Sequence, residues 1–340
     1  MSWTHRLVLP VLVLAVALPC FGATHALPKL RFSLPPAMSC LPIAFGQAWG
    51  VFEKHGVDVE LVGLSDNEER SAALLAGDID GMVCDITTSM LLLAAGQDIV
   101  ITSAAHGGDQ TGSLAILSPK SFGIQSLTSM YADEGHGYKV ATLYRSDLEY
   151  VTDQLMKSLG FRIDQVGLYS YWTDMLQLAV WFAVPAVPAA VLPEPYITYI
   201  THLTVPKTGE FLQFVHLSDF EGIVPPPGVV VFRRSVVQEE SDAVARFYDA
   251  YREAVDLVNS KTRDEMIQEG IGVAISLFFP GVSADTVPAT MLDNFVIPRF
   301  PPVGALDPDI FASLASWVNL KRYASFHQDY AAVTTDQFLR

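Results

Sequence analysis

Between Leu30 and Asp85 strand-like and helix-like segments alternate with little slack, and this restricts the fold more than any other feature of the 340-residue chain. LRFSL is a short apolar-rich strand closed by Pro35-Pro36. Leu41 to Trp49 carries helix formers and stops at Gly50. Val57 to Leu61 alternates apolar and acidic residues as a strand does. Glu68 to Ala76 is again helical before Gly77, and Ile79 to Val83 supplies a third strand. Strands and helices at this spacing imply parallel pairing through right-handed crossovers. In such sheets the ligand sits beyond the carboxyl ends of the strands. Those ends carry Met38, Ser39 and Cys40 after the first strand, and Asp85, Thr87 and Thr88 after the third.

The pattern returns more loosely further on. Lys139 to Leu143 is a predicted strand, and Ser146 to Leu159 a helix opened by Ser146 or Asp147 and closed by Gly160. Gln165 to Tyr169 is a second predicted strand, Asp174 to Leu178 at least a helical turn, and Ala189 to Leu192 a third strand before Pro193-Glu194-Pro195. Two α/β units imply two lobes facing each other across a cleft. Gly112 to Ser118 reads as the strand leaving the first lobe, and Ile223 to Val231, with Pro225-Pro226-Pro227-Gly228, as the return. The expected division is residues 27–117 plus 233–340 for the first lobe and 118–232 for the second. Glu239 to Val258 is an amphipathic helix, and Asp307-Pro308 caps a later one.

The runs PPAMSCLPIAFGQAWGVFEKHGVDVELV, ER-x3-LLAGDIDGMVCD, WTDMLQL and AAVLPEPY occur in that order. This ordered set resembles the periplasmic substrate-binding proteins of the nitrate, taurine, aliphatic-sulfonate and thiamine-pyrimidine uptake group, over roughly Leu30 to Asp336. The resemblance implies a two-lobed α/β fold of the type II periplasmic-binding-protein kind, each lobe a mostly parallel sheet flanked by helices. It implies a monomer that hands a small solute to an ABC permease in the inner membrane. A few relatives, the yeast-type thiamine-pyrimidine synthases, are enzymes with a cysteine-rich iron-binding motif, which is absent here. The reading is of a binding protein and not an enzyme, with no cofactor and no metal; an enzyme of the synthase type is kept as a lesser alternative.

Composition agrees with an exported globular protein. Half the residues are apolar and 17% are charged, which supports a large core. A net charge of −16 argues against nucleic acid or an anionic membrane as partner. His5 and Arg6, the apolar run Leu7 to Leu18 and the small residues Gly22, Ala23 and Ala26 read as a signal peptide over residues 1–26. That run falls short of the ~20 residues of a membrane span. Cys20 is a candidate lipid-attachment site, although Pro19 departs from the usual small residue; soluble export to the periplasm is favoured over a lipid anchor. Leu178 to Pro193 carries no charge, but Pro185, Pro188 and Pro193 argue for buried strand and loop over a span. Cys40 and Cys84 follow neighbouring strands, so either a disulfide or two buried thiols fits.

In the second lobe Tyr144, Arg145, Ser146 and Asp147 follow a strand, Trp172 offers a stacking surface, and Glu194 sits between prolines at a strand end. Asp85 and Glu194 would put carboxylates in the cleft, suited to an amine, an amidine or a protonated ring. The expected solute is a small heteroaromatic or amine-bearing compound such as a thiamine-pyrimidine precursor. The alternative is a small anion of the alkyl-sulfonate, taurine or nitrate class, clamped by Arg145. Arg145 decides between them. Paired to a protein carboxylate it leaves the cleft acidic; free and inward-pointing it favours an anion.

Overall fold

The computed structural model describes residues 26–64, 66–107, 113–132, 137–163, 167–205, 207–283, 285 and 287–340. Most of the expected signal peptide, with Cys20, lies outside the described residues, as do Gly112 and Gln165. The first α/β unit runs through β1 (Lys29–Ser33), α1 (Leu41–Ala48), α2 (Val51–Lys54), β2 (Asp58–Leu61), α3 (Asn67–Ala76), β3 (Gly81–Cys84), α4 (Ile86–Ala94) and β4 (Ile99–Ala105). Local chemistry sets the ends. Asp66 opens α3 by accepting a hydrogen bond from Glu69 N at 2.8 Å, and Gly77 closes it in the left-handed conformation at φ 79°.

The second unit holds β5 (Leu114–Pro119), α5 (Leu127–Ala132), β6 (Val140–Leu143), α6 (Asp147–Ser158), β7 (Tyr169–Trp172), α7 (Met175–Ala183), β8 (Ala189–Pro193), α8 (Tyr196–Thr201) and β9 (Phe214–Ser218). The chain then returns in β10 (Gly228–Arg233) and finishes with α9 (Arg234–Glu239), α10 (Ser241–Ser260), α11 (Arg263–Glu269), α12 (Ile271–Phe278), α13 (Ala289–Asn294), α14 (Pro308–Leu320) and α15 (Tyr330–Val333). Two sheets result, in the orders β2-β1-β3-β10-β4 and β7-β6-β8-β5-β9. Each is parallel except for one strand: β10 runs antiparallel to β3 and β4, and β5 antiparallel to β8 and β9.

Those two strands are the first laid down after each crossing between lobes. Strand pairing therefore puts Leu114–Ser118 in the second sheet and Gly228–Phe232 in the first, so the crossings precede β5 and β10 instead of following them. The strand expected over Gln165–Tyr169 begins at Tyr169, and Leu178–Ala183 extends α7 where strand and loop were expected. Among the described residues no helix is long and apolar enough to cross a membrane.

The core of the first lobe forms where α10 lies against β1 and β10. Val244, Phe247, Tyr251, Val255 and Val258 of its apolar face are all buried. Phe247 meets Phe32, Phe52 and Phe232 with ring centroids 5.1, 5.2 and 5.5 Å apart. Helices α1 and α10 approach closely at Gly46, where an added Cβ would lie 2.8 Å from the Ala254 Cβ.

A buried polar seam joins the lobes along α6. Trp317 and Val318 of α14 belong to the first-lobe core with Met82 and Val231, yet α14 and the turn after it also grip α6. Lys321 Nζ lies 2.8 Å from Glu149 Oε1 and 3.0 Å from Asp153 Oδ2, with both carboxylates fully buried. The hydroxyls of Tyr171 and Tyr323 donate to Glu149 at 3.0 and 2.6 Å. The Tyr169 hydroxyl and the Trp317 Nε1–H donate to Asp153 at 2.7 and 2.8 Å. Burial opposes the Lys321 charge, but the two carboxylates outweigh it and raise its pKa. Removing the cation strands two buried carboxylates, so Lys321→Met is expected to cost about 3–5 kcal/mol in urea unfolding. A loss under about 1 kcal/mol would show that the seam contributes no more than a surface pair.

Candidate functional site

Both units end their strands on one cavity of about 380 Å³ between the lobes. Met38, Ser39 and Asp85 line it from the first lobe, Asp147 and Glu194 from the second, and Pro226 and Gly228 from a crossing. Val296 and Pro298, in the strap after α13, close another side.

Helices α4 and α6 bring their N-termini together here, each with an aspartate at its start. Asp147 reaches across the cleft to the first amides of α4. Its carboxylate accepts from Ile86 N at 2.9 Å, Thr87 N at 2.9 Å and the Thr87 hydroxyl at 2.6 Å. Asp85 returns the contact, its Oδ2 accepting from Asp147 N at 3.2 Å. Each carboxylate thus sits where the other lobe's helix offers unsatisfied N–H groups and the positive end of its dipole. Ser146 aims α6 for this: it accepts from Glu149 N at 3.2 Å and donates to Leu143 O at 2.9 Å.

Two buried carboxyls this close are electrostatically costly. Burial, and after it the Asp85 charge, push Asp147 up to about 8, against its three hydrogen-bond donors. Burial also raises Asp85, opposed by the Asp147 N–H and by Arg70. Arg70 is itself buried: it donates to Leu64 O at 3.2 Å and Asn67 Oδ1 at 2.6 Å, and its Nε finds no partner among the described residues. Glu194 is raised by burial as well, although Thr198 N and the Thr198 hydroxyl both donate to it at 3.1 Å. That pair of bonds caps α8, so the charge between the prolines has a structural task besides facing the cavity.

Of the residues marked from the sequence, Met38, Ser39, Asp85 and Glu194 share the cavity wall. Thr87 stands one layer behind, holding Asp147. The others lie off the wall. Cys40 is a core residue and its thiol is pushed up to about 12 by burial; Cys84, which does line the cavity, is likewise raised by burial, and both thiols are free. Thr88 accepts from Asn67 Nδ2 at 3.3 Å. Trp172 packs against the core at the end of the edge strand β7. Arg145 meets neither condition set for it. Among the described residues its guanidinium has no carboxylate partner, and it lies over the Tyr144 and Tyr323 rings at 4.9 and 5.3 Å, away from the cavity. The sequence marks Asp147 only as following a strand and opening a helix, and does not count it among the ligand contacts. Serine followed by aspartate and then Glu149 looks like ordinary helix capping, which hides a carboxylate aimed at another helix.

The architecture is the periplasmic-binding-protein fold. The Candida albicans CA3427 gene product, described as having the generic form of that fold, superposes with a TM-score of 0.58 at 14% identity, covering 91% of this chain and 97% of that one. The alkanesulfonate-binding protein SsuA from Xanthomonas axonopodis pv. citri, bound to MOPS, gives 0.70 at 15% identity over 90% and 98% of the two chains. The periplasmic nitrate-binding protein NrtA from Synechocystis PCC 6803 gives 0.60 at 14% over 84% and 74%. Among curated proteins no match is found. The NMT1/THI5-like family model matches residues 38–261, and the chain belongs to that family.

The raised Asp147 gives a pH test with a definite sign. A carboxyl with a folded pKa near 8 and an unfolded one near ~3.9 stabilises the fold fully below the lower value, and that contribution is lost as pH rises through the upper. The melting temperature of the wild type minus that of Asp147→Asn should fall steadily between about pH 4 and 8 and then level off. A difference that rises over this window would mean that the three donors hold Asp147 ionised.

Proposed function

We propose that the protein is the exported solute-binding component of an ABC importer, and that its solute carries an amine, an amidine or a protonated ring nitrogen, as a thiamine-pyrimidine precursor does. One observation supports the ligand class above others: the α4 amides that would hold an anion are already occupied by Asp147. The described residues lining the cavity include Asp85, Asp147 and Glu194 and no lysine, arginine or histidine. A cationic donor entering there would relieve the repulsion between the aspartates and gain charge-assisted hydrogen bonds of about 1.5–3 kcal/mol each. Binding, not turnover, is the reading, since burial keeps both thiols protonated and each cavity carboxylate has a hydrogen-bond task in the fold.

The lobes, residues 26–107 with 228–340 and residues 113–227, would close on the solute about the two crossings. A monomer presenting both lobes to the permease fits this scheme. The runner-up is a small anion. It draws on the sulfonate- and nitrate-binding neighbours, and it requires Asp147 to leave α4. Calorimetry with an aminopyrimidine and an alkyl sulfonate separates the two. The aminopyrimidine should bind the wild type, weaken about 10- to 100-fold in Asp85→Asn, and be unaffected by Arg145→Gln. Tight sulfonate binding to the wild type would overturn the ligand assignment.

A further inference from the structure

On the other side of the strap lies a second cavity, of about 290 Å³, with the opposite electrostatic character. Among the described residues its lining carries Lys261, Arg263 and Arg299 and no carboxylate, over an apolar floor that includes Met266, Ile271 and Phe295. Val296 and Pro298 line both cavities, so one short segment separates an acidic chamber from a basic one. Hydrogen bonds hold the strap at its ends. Phe295 N donates to Met291 O at 2.8 Å. At Phe300, Asn259 both donates to the carbonyl and accepts from the amide, each at 2.8 Å.

The cations are not equally committed. Lys261 pairs with Glu269 at 2.6 Å and lies over the Trp49 ring at 5.1 Å. Arg263 uses one Nη2 bond on Leu292 O at 2.6 Å, and Arg299 is exposed with no partner among the described residues. In a chain of net charge −16, two arginines lining one apolar hollow are a local excess of positive charge. Guanidinium forks match a carboxylate bidentately.

We propose that this cavity is a second binding site, for a small amphipathic carboxylate whose charged head lies between Arg263 and Arg299 and whose apolar body covers Met266, Ile271 and Phe295. The volume suits a short acyl chain or a single ring. The site is independent of the solute assignment, because it shares only the strap with the acidic cavity.

Octanoate is the probe, with octylamine as the control of reversed charge. In protein labelled at its methionine methyls, saturable octanoate binding should move the Met266 signal, and octylamine should not. Calorimetry should show octanoate affinity falling at least about tenfold in Arg299→Gln and again in Arg263→Gln. Both changes are at the protein surface, and an unchanged melting temperature would confirm intact folding. Met38, which lines only the acidic cavity, reports the competing location. Saturation that shifts Met38 and leaves Met266 still would overturn the proposal. So would equal binding by octylamine, octanoate affinity unchanged in both arginine variants, or no binding by the wild type.

Discussion

Asp85 and Asp147 hold the first amides of each other's helices across the cleft, and the geometry of the site depends on that exchange. A helix N-terminus leaves N–H groups unsatisfied, and two of them face each other where strands from opposite sheets end. Solvent, a bound anion or a side chain can supply the missing acceptors. Here the chain supplies them itself, from the opposite lobe, at 2.6 to 2.9 Å for Asp147. The helix dipoles favour the carboxylates, while burial and mutual repulsion oppose their charge. The result is a chamber whose polar groups satisfy one another, the feature on which the proposed cationic solute rests.

The same helix carries the second constraint on the lobes. Two residues after its start, α6 begins the network of Glu149, Asp153, Lys321, Trp317 and the tyrosines, fully buried at its carboxylates. These contacts run along one edge of α6, and on the other side of the cleft the Tyr196 hydroxyl of α8 donates to Phe278 O of α12 at 3.2 Å. Any opening at the α6 edge has to break buried ion pairs, which is expensive when one partner is left alone.

Much of the fold was legible because its signals are local. Alternation of apolar runs with glycine-terminated helices located β1 through β3, the S-D start located α6, and Asp307-Pro308 located α14. The lobe boundaries were misjudged for a physical reason: each crossing is followed at once by the strand that completes the far sheet antiparallel, and a strand's sequence does not reveal its partner. The prolines after Ala183 likewise masked the helical character of Leu178–Ala183, since they end α7 instead of preventing it. Strand-end logic singled out Met38, Ser39, Asp85 and Glu194, and these four line one cavity. It could not show the partners of Asp147 or Lys321, which are distant in sequence, nor foresee that Arg145 turns onto tyrosine rings at a left-handed φ of 53°.

The central claim is that the paired carboxyls recognise the solute, and carboxyl-carbon NMR titration of Asp85 and Asp147 reads this directly. In the free protein Asp147 should titrate near 8, well above an ordinary aspartate. A saturating amine-bearing ligand should lower that midpoint by at least about one unit, because a cation beside the pair favours its ionised form. Titration curves that stay unchanged with the ligand bound would contradict the account and return the aspartates to a purely structural role.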